Sequence, residues 1–242
     1  MDKRIVAELA PTGELRAGVN LSNFLLVTGR SPNGDPEGVS PSLAKAIADR
    51  LGVPVRYVTY PRPNELADAA DTDAWDIGLI GAEPARAQKI AFTAAYAEIE
   101  STYLVPAGSP ISSIADVDRN GVRIATCAGS AYDLWLDRNI ETAELVRAPT
   151  IDASFELFVD AKLDVLAGLR PRLLSDVEKL PGARILDGSF SSVQQAVGTS
   201  RKNEAGAAFL RDFVEEAKSS GLIARLIAQF GVEGRLSVAP PG

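Results

Sequence analysis

Segments with strand-like and helix-like hydrophobic patterns alternate in the first part of the chain. Ser40 is the predicted N-cap of the first long amphipathic helix, and Gly52 stands at its end. The predicted strands are residues 13–19, 53–60 and 75–81, and the predicted helical segments are residues 40–52 and 63–72. This alternation is typical of a parallel sheet covered by helices.

A second series begins with a strand at residues 101–108. It continues with strands at 121–127, 143–148, 163–169 and 191–200, with helices at 130–139 and 150–162, and with two helices inside 203–231. No long linker separates the two series. We therefore expect an α/β protein with two lobes, residues 1–104 plus 196–242 and residues 105–195, joined by strands that cross over and leave a ligand cleft.

Composition excludes several classes of function. The 242 residues are 46% hydrophobic, enough for a substantial core, and no apolar run approaches the roughly 18 residues of a membrane span. Cys127 is the single cysteine and histidine is absent, which argues against a zinc site and a histidine-based triad. We expect no cofactor. The net charge of -7, with scattered basic residues, argues against nucleic acid as a partner.

Residues 1–19 lack the apolar region and small-residue cleavage site of a secretory signal. Two interpretations stay open at this point. Either Met1 is the start of a cytosolic protein, or an export signal has been removed from a periplasmic one.

Three segments carry a resemblance that covers nearly the whole chain. They are LRAGVNLSNF, GVSPSLAKAIADRLGVPVRYV and WDIGLIGAEPARAQKIAFTAAY, and in the last one Asp76, Pro84, Arg86, Phe92 and Thr93 stand in the diagnostic places. The chain resembles the family 3 extracellular solute-binding proteins. That resemblance implies the two-lobed type II periplasmic binding fold, with two crossover strands and a ligand cleft.

The resemblance assigns Arg86 to the carboxylate of the ligand. A guanidinium is charged at any relevant pH, and its two parallel donors match the two carboxylate oxygens. The alternative is an ordinary surface arginine. In the second lobe the resemblance places Gly129, Ser130 and Ala131 at the same anion, with the amides of Ser130 and Ala131 and the Ser130 hydroxyl as donors at a helix N-terminus. A simple Ser N-cap is the alternative.

Two positions depart from the pattern of the amino acid binders. Leu169, followed by Arg170, stands where those proteins place the acid that pairs with the ligand's ammonium, and Gly81 replaces a hydroxyl residue. A buried ammonium without an anion loses hydration that nothing returns. We therefore expect a carboxylate ligand that is not an ordinary α-amino acid.

The remaining candidates are less specific. Asn20, Asn23 and Phe24 are placed at the ligand's variable end, with turn chemistry and core packing as alternatives, and either Gln194 or Gln195 is expected to face the cleft. Glu83 and Asp133 could supply an anion from another direction, although solvated charges are the simpler interpretation. Trp75 and Trp135 are expected in the core.

These inferences predict a monomeric, non-catalytic binding protein that delivers a small carboxylate to the permease of an ABC transporter. Two alternatives use the same scaffold. One is an enzyme similar to cyclohexadienyl dehydratase, for which Glu83 is the one candidate acid, and the other is a sensor domain that reports ligand occupancy to a receptor.

Overall fold

A computed structural model describes residues 2–242. Close contacts divide the chain into two compact units. Unit 1 runs to Glu98 and resumes at Gln194, and unit 2 is Ile99–Val193. Among residues 2–242, none of the helices combines the length and the apolar character that a bilayer crossing requires.

Unit 1 is built on a sheet whose strands follow the order β4-β1-β5-β11. Its elements are α1 (Lys3–Leu9), β1 (Leu15–Asn20), β2 (Gly29–Arg30), β3 (Pro36–Glu37), α2 (Val39–Leu51), β4 (Val55–Tyr60), α3 (Pro63–Asp68), β5 (Ile77–Gly81), α4 (Pro84–Ala87), β11 (Ser191–Ser200), α8 (Glu204–Ser219), α9 (Leu222–Gln229) and β12 (Ser237–Val238). Strand β11 begins in unit 2 and belongs to unit 1 from Gln194 onward. Strand β1 is parallel to β4 and to β5, whereas β11 is antiparallel to β5. The carboxyl ends of three parallel strands therefore share one edge.

Unit 2 repeats this plan with the strand order β6-β9-β7-β8. Its elements are β6 (Ile90–Val105), β7 (Arg123–Cys127), α5 (Ala131–Asn139), β8 (Glu144–Ala148), α6 (Ile151–Asp160), β9 (Val165–Leu169), α7 (Arg170–Val177) and β10 (Arg184–Ile185). Strand β6 begins in unit 1 and belongs to unit 2 from Ile99 onward. Strand β7 is parallel to β8 and to β9, and β6 is antiparallel to β9. The chain passes from one unit to the other along β6 and returns along β11.

In both units, an aspartate side chain accepts a hydrogen bond from a backbone amide of the neighbouring parallel strand. In unit 1, Asp76 precedes β5 and its Oδ2 accepts from the Arg16 amide of β1 at 2.8 Å. In unit 2, Asp164 precedes β9 and its Oδ2 accepts from the Arg123 amide of β7, also at 2.8 Å. Asp76 is 4% exposed and binds the Arg16 guanidinium as well, so its carboxylate is paired as burial requires.

The mixed α/β prediction is confirmed, and the core of unit 1 contains Trp75 as expected. Trp75 is buried and its Nε1 donates to the Leu66 carbonyl at 3.0 Å. Trp135 is partly buried and packs on the unit 2 core beside Phe190, with ring centroids 5.2 Å apart.

The predicted start of α2 is wrong by two residues. Helix α2 begins at Val39 with Gly38 as N-cap, and the hydroxyl of Ser40 instead hydrogen-bonds the Tyr96 hydroxyl at 3.1 Å. Gly38 has φ of 148°, and a Cβ there would lie 2.2 Å from the Leu26 carbonyl oxygen. A residue without a side chain is required at this point, which local helix signals do not reveal.

Candidate functional site

Arg86 lies at the carboxyl edge of the unit 1 sheet. The buried strand β5 ends at Gly81, and Pro84 opens the single turn of α4 that carries Arg86. Arg86 is 6% exposed, and its Nη1 donates to the Gly81 carbonyl at 2.7 Å. The surface-arginine alternative is therefore wrong, because the side chain folds back onto the end of the strand that precedes it.

Burial governs the electrostatics of Arg86. Desolvation lowers the pKa of its guanidinium to about 10, and the nearby carboxylates of Glu83 and Asp68 partly oppose this effect. At neutral pH the group is still protonated. A desolvated cation is costly, so binding an anion beside it would recover part of that cost.

The backbones of Gln194 and Gln195 lie next to the end of β5. Gln195 of β11 pairs with Gly81, and the Gln194 carbonyl accepts from the Ala82 amide at 2.7 Å. Gln195 is buried and Gln194 is half-buried. Successive side chains of a strand point to opposite faces, so only one of the two glutamines can face a given site.

The polar groups of the opening loop are engaged within the loop. The Asn20 Oδ1 accepts from the amide and the hydroxyl of Ser22, at 3.1 and 2.8 Å. The Asn23 Oδ1 accepts from the amides of Leu25 and Leu26. Both carboxamide oxygens thus accept hydrogen bonds within the turn, as the alternative interpretation of the sequence expected. Phe24, which lies between Asn20 and Leu25, is half-buried. A ligand role for these three residues stays a prediction.

In unit 2, Gly129, Ser130 and Ala131 form the start of α5 as expected, but one of the predicted donors, the Ser130 amide, already has an acceptor. Gly129 has φ of +73°, and its amide donates to Asp133 Oδ2 at 3.0 Å. The Ser130 amide donates to the Cys127 carbonyl at 3.2 Å, and a role for this amide at an anion stays a prediction. The Ser130 Oγ caps the helix by accepting from the Asp133 amide at 3.1 Å.

The amides of Ala131 and Tyr132 are the backbone donors left for an anion at this helix start. Within residues 2–242, the first-turn amides of Ala131 and Tyr132 have no intrahelical acceptor, as expected at a helix N-terminus. The Ser130 hydroxyl, whose oxygen is the acceptor in the cap, also hydrogen-bonds the side chain of Tyr132, so its role at an anion stays a prediction.

Asp133 is not the solvated charge that the sequence suggested. It is 3% exposed, and besides the Gly129 amide it binds Arg147, whose Nε lies 3.0 Å from its Oδ1. Arg147 in turn pairs with Asp137. The carboxylate of Asp133 is therefore paired with a cation of the same unit.

Leu169 is the last residue of β9 and is 7% exposed. It pairs with Ser101 of β6. The next residue, Arg170, donates from Nε to Glu100 Oε2 at 2.7 Å and from Nη2 to the Gly188 carbonyl. Position 169 therefore offers an apolar side chain, and the neighbouring cation is held by an acid of the same unit.

Two buried hydroxyls in unit 2 lack partners, which the sequence did not predict. Ser101 and Thr126 are fully buried, and neither Oγ of Ser101 nor Oγ1 of Thr126 has a hydrogen-bond partner among residues 2–242. An unsatisfied buried hydroxyl is rare enough in proteins to require an explanation.

Sequence comparison shows which family the chain belongs to. The profile of the bacterial extracellular solute-binding proteins, family 3, matches residues 16–233, and the chain belongs to that family. A search of curated proteins found no match. The family prediction made from the sequence is confirmed.

Solved structures share the fold at low sequence identity. A mutant of ArgBP from T. maritima is 22% identical with a TM-score of 0.74, covering 95% of this chain and 100% of its own. The ancestral amino acid-binding protein AncCDT-1, described as a precursor of cyclohexadienyl dehydratase, is 20% identical with a TM-score of 0.73 and coverage of 93% and 98%. A histidine kinase sensor domain similar to periplasmic binding proteins is 16% identical with a TM-score of 0.75 and coverage of 94% and 98%.

Proposed function

We propose that this protein binds a small carboxylate-bearing solute, with Arg86 as its anchor. The observation that carries the proposal is the buried guanidinium of Arg86 at the carboxyl edge of the unit 1 sheet, held by the Gly81 carbonyl. A planar guanidinium offers a carboxylate two parallel charge-assisted hydrogen bonds. The carboxyl ends of parallel strands are also where open α/β sheets commonly bind ligands.

Unit 2 would hold the ligand from a second side. The amide of Ala131 and the hydroxyl of Ser130, at the N-terminus of α5, are the donors we assign to the same anion. The two units would then act as lobes, because a ligand that contacts both stabilises a closed arrangement. Gln194, Asn20, Asn23 and Phe24 are proposed to contact the rest of the ligand.

The ligand is proposed to lack an ammonium group. Leu169 cannot pair with one, and the nearest carboxylate of the α5 start, Asp133, is already bound by Arg147. Burying an unpaired ammonium costs several kcal/mol, as a general rule for buried charges. Carboxylates with neutral or apolar groups at the α-carbon therefore fit better than α-amino acids.

Delivery to the permease of an ABC transporter in the periplasm is the role we propose for the loaded, monomeric protein. Membership of the solute-binding family supports this proposal. The resemblance in fold to AncCDT-1 and to a sensor domain makes turnover and signalling the competing roles. The proposal requires no residue to react with the ligand.

A thermal-shift screen tests the proposal. The panel contains the standard amino acids, their 2-hydroxy and 2-oxo analogues, aromatic acids and dicarboxylates, each with the wild-type protein and with Arg86→Ala. We expect carboxylates without an ammonium to raise the melting temperature, since a ligand at 100 times its Kd adds about 2.7 kcal/mol of stability. Arg86→Ala should abolish the increase.

Two results would contradict the proposal. One is a standard α-amino acid that stabilises the protein at micromolar concentration, and the other is a hit that stabilises Arg86→Ala as much as the wild type. Mass spectrometry of each hit after incubation separates binding from turnover.

A further inference from the structure

A buried carboxylate lies at the start of α5, beside the amides of Ala131 and Tyr132 that are left for an anion. Asp133 is the third residue of the helix, and its side chain turns back so that Oδ2 accepts from the Gly129 amide at 3.0 Å. Its own amide donates to Ser130 Oγ at 3.1 Å. These two hydrogen bonds hold the carboxylate at the N-terminal end of the helix, the same end at which the two amides lie.

A carboxylate in this position competes with any other anion at the helix start. The first-turn amides and the helix dipole favour negative charge at an N-terminus. Asp133 already supplies such a charge, and because it is 3% exposed, little water screens it. Like charges side by side disfavour binding. A second anion therefore binds well here only if a cation offsets the charge of Asp133.

Arg147 of β8 is the cation that lies against this carboxylate. Its Nε is 3.0 and 3.2 Å from the two carboxylate oxygens of Asp133. Its Nη2 binds Asp137, whose side chain is 63% exposed and therefore screened by water. Strand β8 is parallel to β7, which leads into α5, so Arg147 reaches Asp133 from the neighbouring strand. All three residues belong to unit 2.

We propose that Arg147 sets the affinity of the α5 start for a carboxylate by offsetting the charge of Asp133. Arg147 acts through Asp133 and is a positioning residue, not a contact of the ligand. This inference rests on the proposed function, in which the amide of Ala131 binds the same anion as Arg86. The competing interpretation is a helix cap with an ordinary ion pair, which contributes to stability and leaves the affinity independent of these two charges.

An NMR titration of the ¹⁵N-labelled protein tests this role. Acetate, propionate, lactate, pyruvate and benzoate are added in separate titrations, and the amide signals of Ala131 and Tyr132 report binding at the helix start. The wild type is compared with Asp133→Asn, with Arg147→Gln and with the double variant. Asparagine keeps an oxygen that can accept from the Gly129 amide, so Asp133→Asn removes the charge and keeps the turn.

The dissociation constants should follow the charge beside the helix start. Arg147→Gln leaves the charge of Asp133 without its closest cation and should weaken binding about tenfold. Asp133→Asn leaves the cation alone and should strengthen binding about threefold or more, which tests the claim independently of the folding of Arg147→Gln. The double variant lacks both charges and should return to within about twofold of the wild type. A purely structural pair would give no such recovery.

Arg123→Gln is the matched control. Arg123 belongs to the same sheet, pairs with Asp164 and has a side chain that is 42% exposed, against 38% for Arg147. It begins β7, whereas α5 follows the other end of that strand, about 13 Å away for five residues. At that distance salt largely screens its charge, so the affinity should stay within about twofold of the wild type. Melting temperatures of all variants separate stability from affinity.

The two proposals fail in different ways. If Arg86→Ala weakens binding but Arg147→Gln binds the acids as the wild type does, the role of Arg147 is wrong and the carboxylate site stands. The same conclusion follows if Asp133→Asn binds more weakly than the wild type, or if the double variant binds no better than Arg147→Gln. If Arg86→Ala binds as the wild type does, or if no acid shifts the Ala131 and Tyr132 signals of the wild type, the proposed function is wrong and the role of Arg147 with it.

Discussion

Thr126 and Thr102 provide a matched pair of substitutions in unit 2. Both side chains are fully buried. The Oγ1 of Thr126 has no partner, whereas that of Thr102 donates to the Gly188 carbonyl at 2.9 Å. Valine has nearly the shape of threonine with a methyl in place of the hydroxyl, so each Thr→Val change removes one hydroxyl and little volume.

The two changes should move stability in opposite directions. A buried hydroxyl left unsatisfied costs about 1–3 kcal/mol, so Thr126→Val should stabilise the protein by about 1–2 kcal/mol. Thr102→Val breaks a made hydrogen bond and should destabilise it by about 1 kcal/mol. At roughly 2–4 °C per kcal/mol for a chain of this length, the two variants should differ in melting temperature by about 4–12 °C.

Calorimetry and urea unfolding at 25 °C measure both variants against the wild type. The reasoning is refuted if Thr126→Val is less stable than the wild type, because its hydroxyl would then have a partner, such as a buried water molecule. Equal losses from the two substitutions would also refute it, since they would show that the two hydroxyls are equally satisfied.

Three further predictions follow from single contacts. Asp133→Ala should destabilise the protein by about 1–3 kcal/mol in urea unfolding, because it removes the buried acceptor of the Gly129 amide and one of the two carboxylates that bind Arg147. A loss under about 0.5 kcal/mol, the range of ordinary surface changes, would contradict this. Gly198→Ala should lower the melting temperature strongly, since a Cβ there would lie 2.2 Å from Ile90 Cγ2, and an unchanged melting temperature would show that the strands yield freely. Hydrogen bonds from the hydroxyls and amides of Ser112 and Ser113 lower the pKa of Asp116 to about 2, below its value in the unfolded chain. The contribution of Asp116 to the stability of the fold is therefore present above about pH 4 and is lost as the pH falls through about 2. A pH series of melting temperatures should show this loss in the wild type, and the same loss in Asp116→Asn would contradict the assignment.

Periodicity predicted the regular elements of both units because strands such as β5 and β9 are continuous apolar runs with clear boundaries. It missed α7, which begins directly after β9 at Arg170 with no loop between them. Periodicity also predicted only the last part of β6. This 16-residue strand passes from one unit to the other, so its neighbours change along its length and no single hydrophobic pattern runs through it. Such features depend on tertiary neighbours and not on local pattern.

The candidate site shows the same limit. The importance of Arg86 came from its place in a family segment, and its burial agrees with that role without testing it. The pairing of Asp133 with the Gly129 amide and with Arg147 could not be read from the sequence, since Arg147 lies on the next strand, β8. The use of the Ser130 amide by the Cys127 carbonyl likewise depends on the shape of a turn.

The affinity of the best carboxylate for the wild type, Arg86→Lys and Arg86→Ala, measured by isothermal titration calorimetry, tests the central claim most directly. Two charge-assisted hydrogen bonds at about 1.5–3 kcal/mol each predict that Arg86→Ala weakens binding by at least about 100-fold. Arg86→Lys keeps the charge without the planar fork and should lie between the two. Equal dissociation constants for the wild type and Arg86→Ala would contradict the claim that this guanidinium holds the ligand.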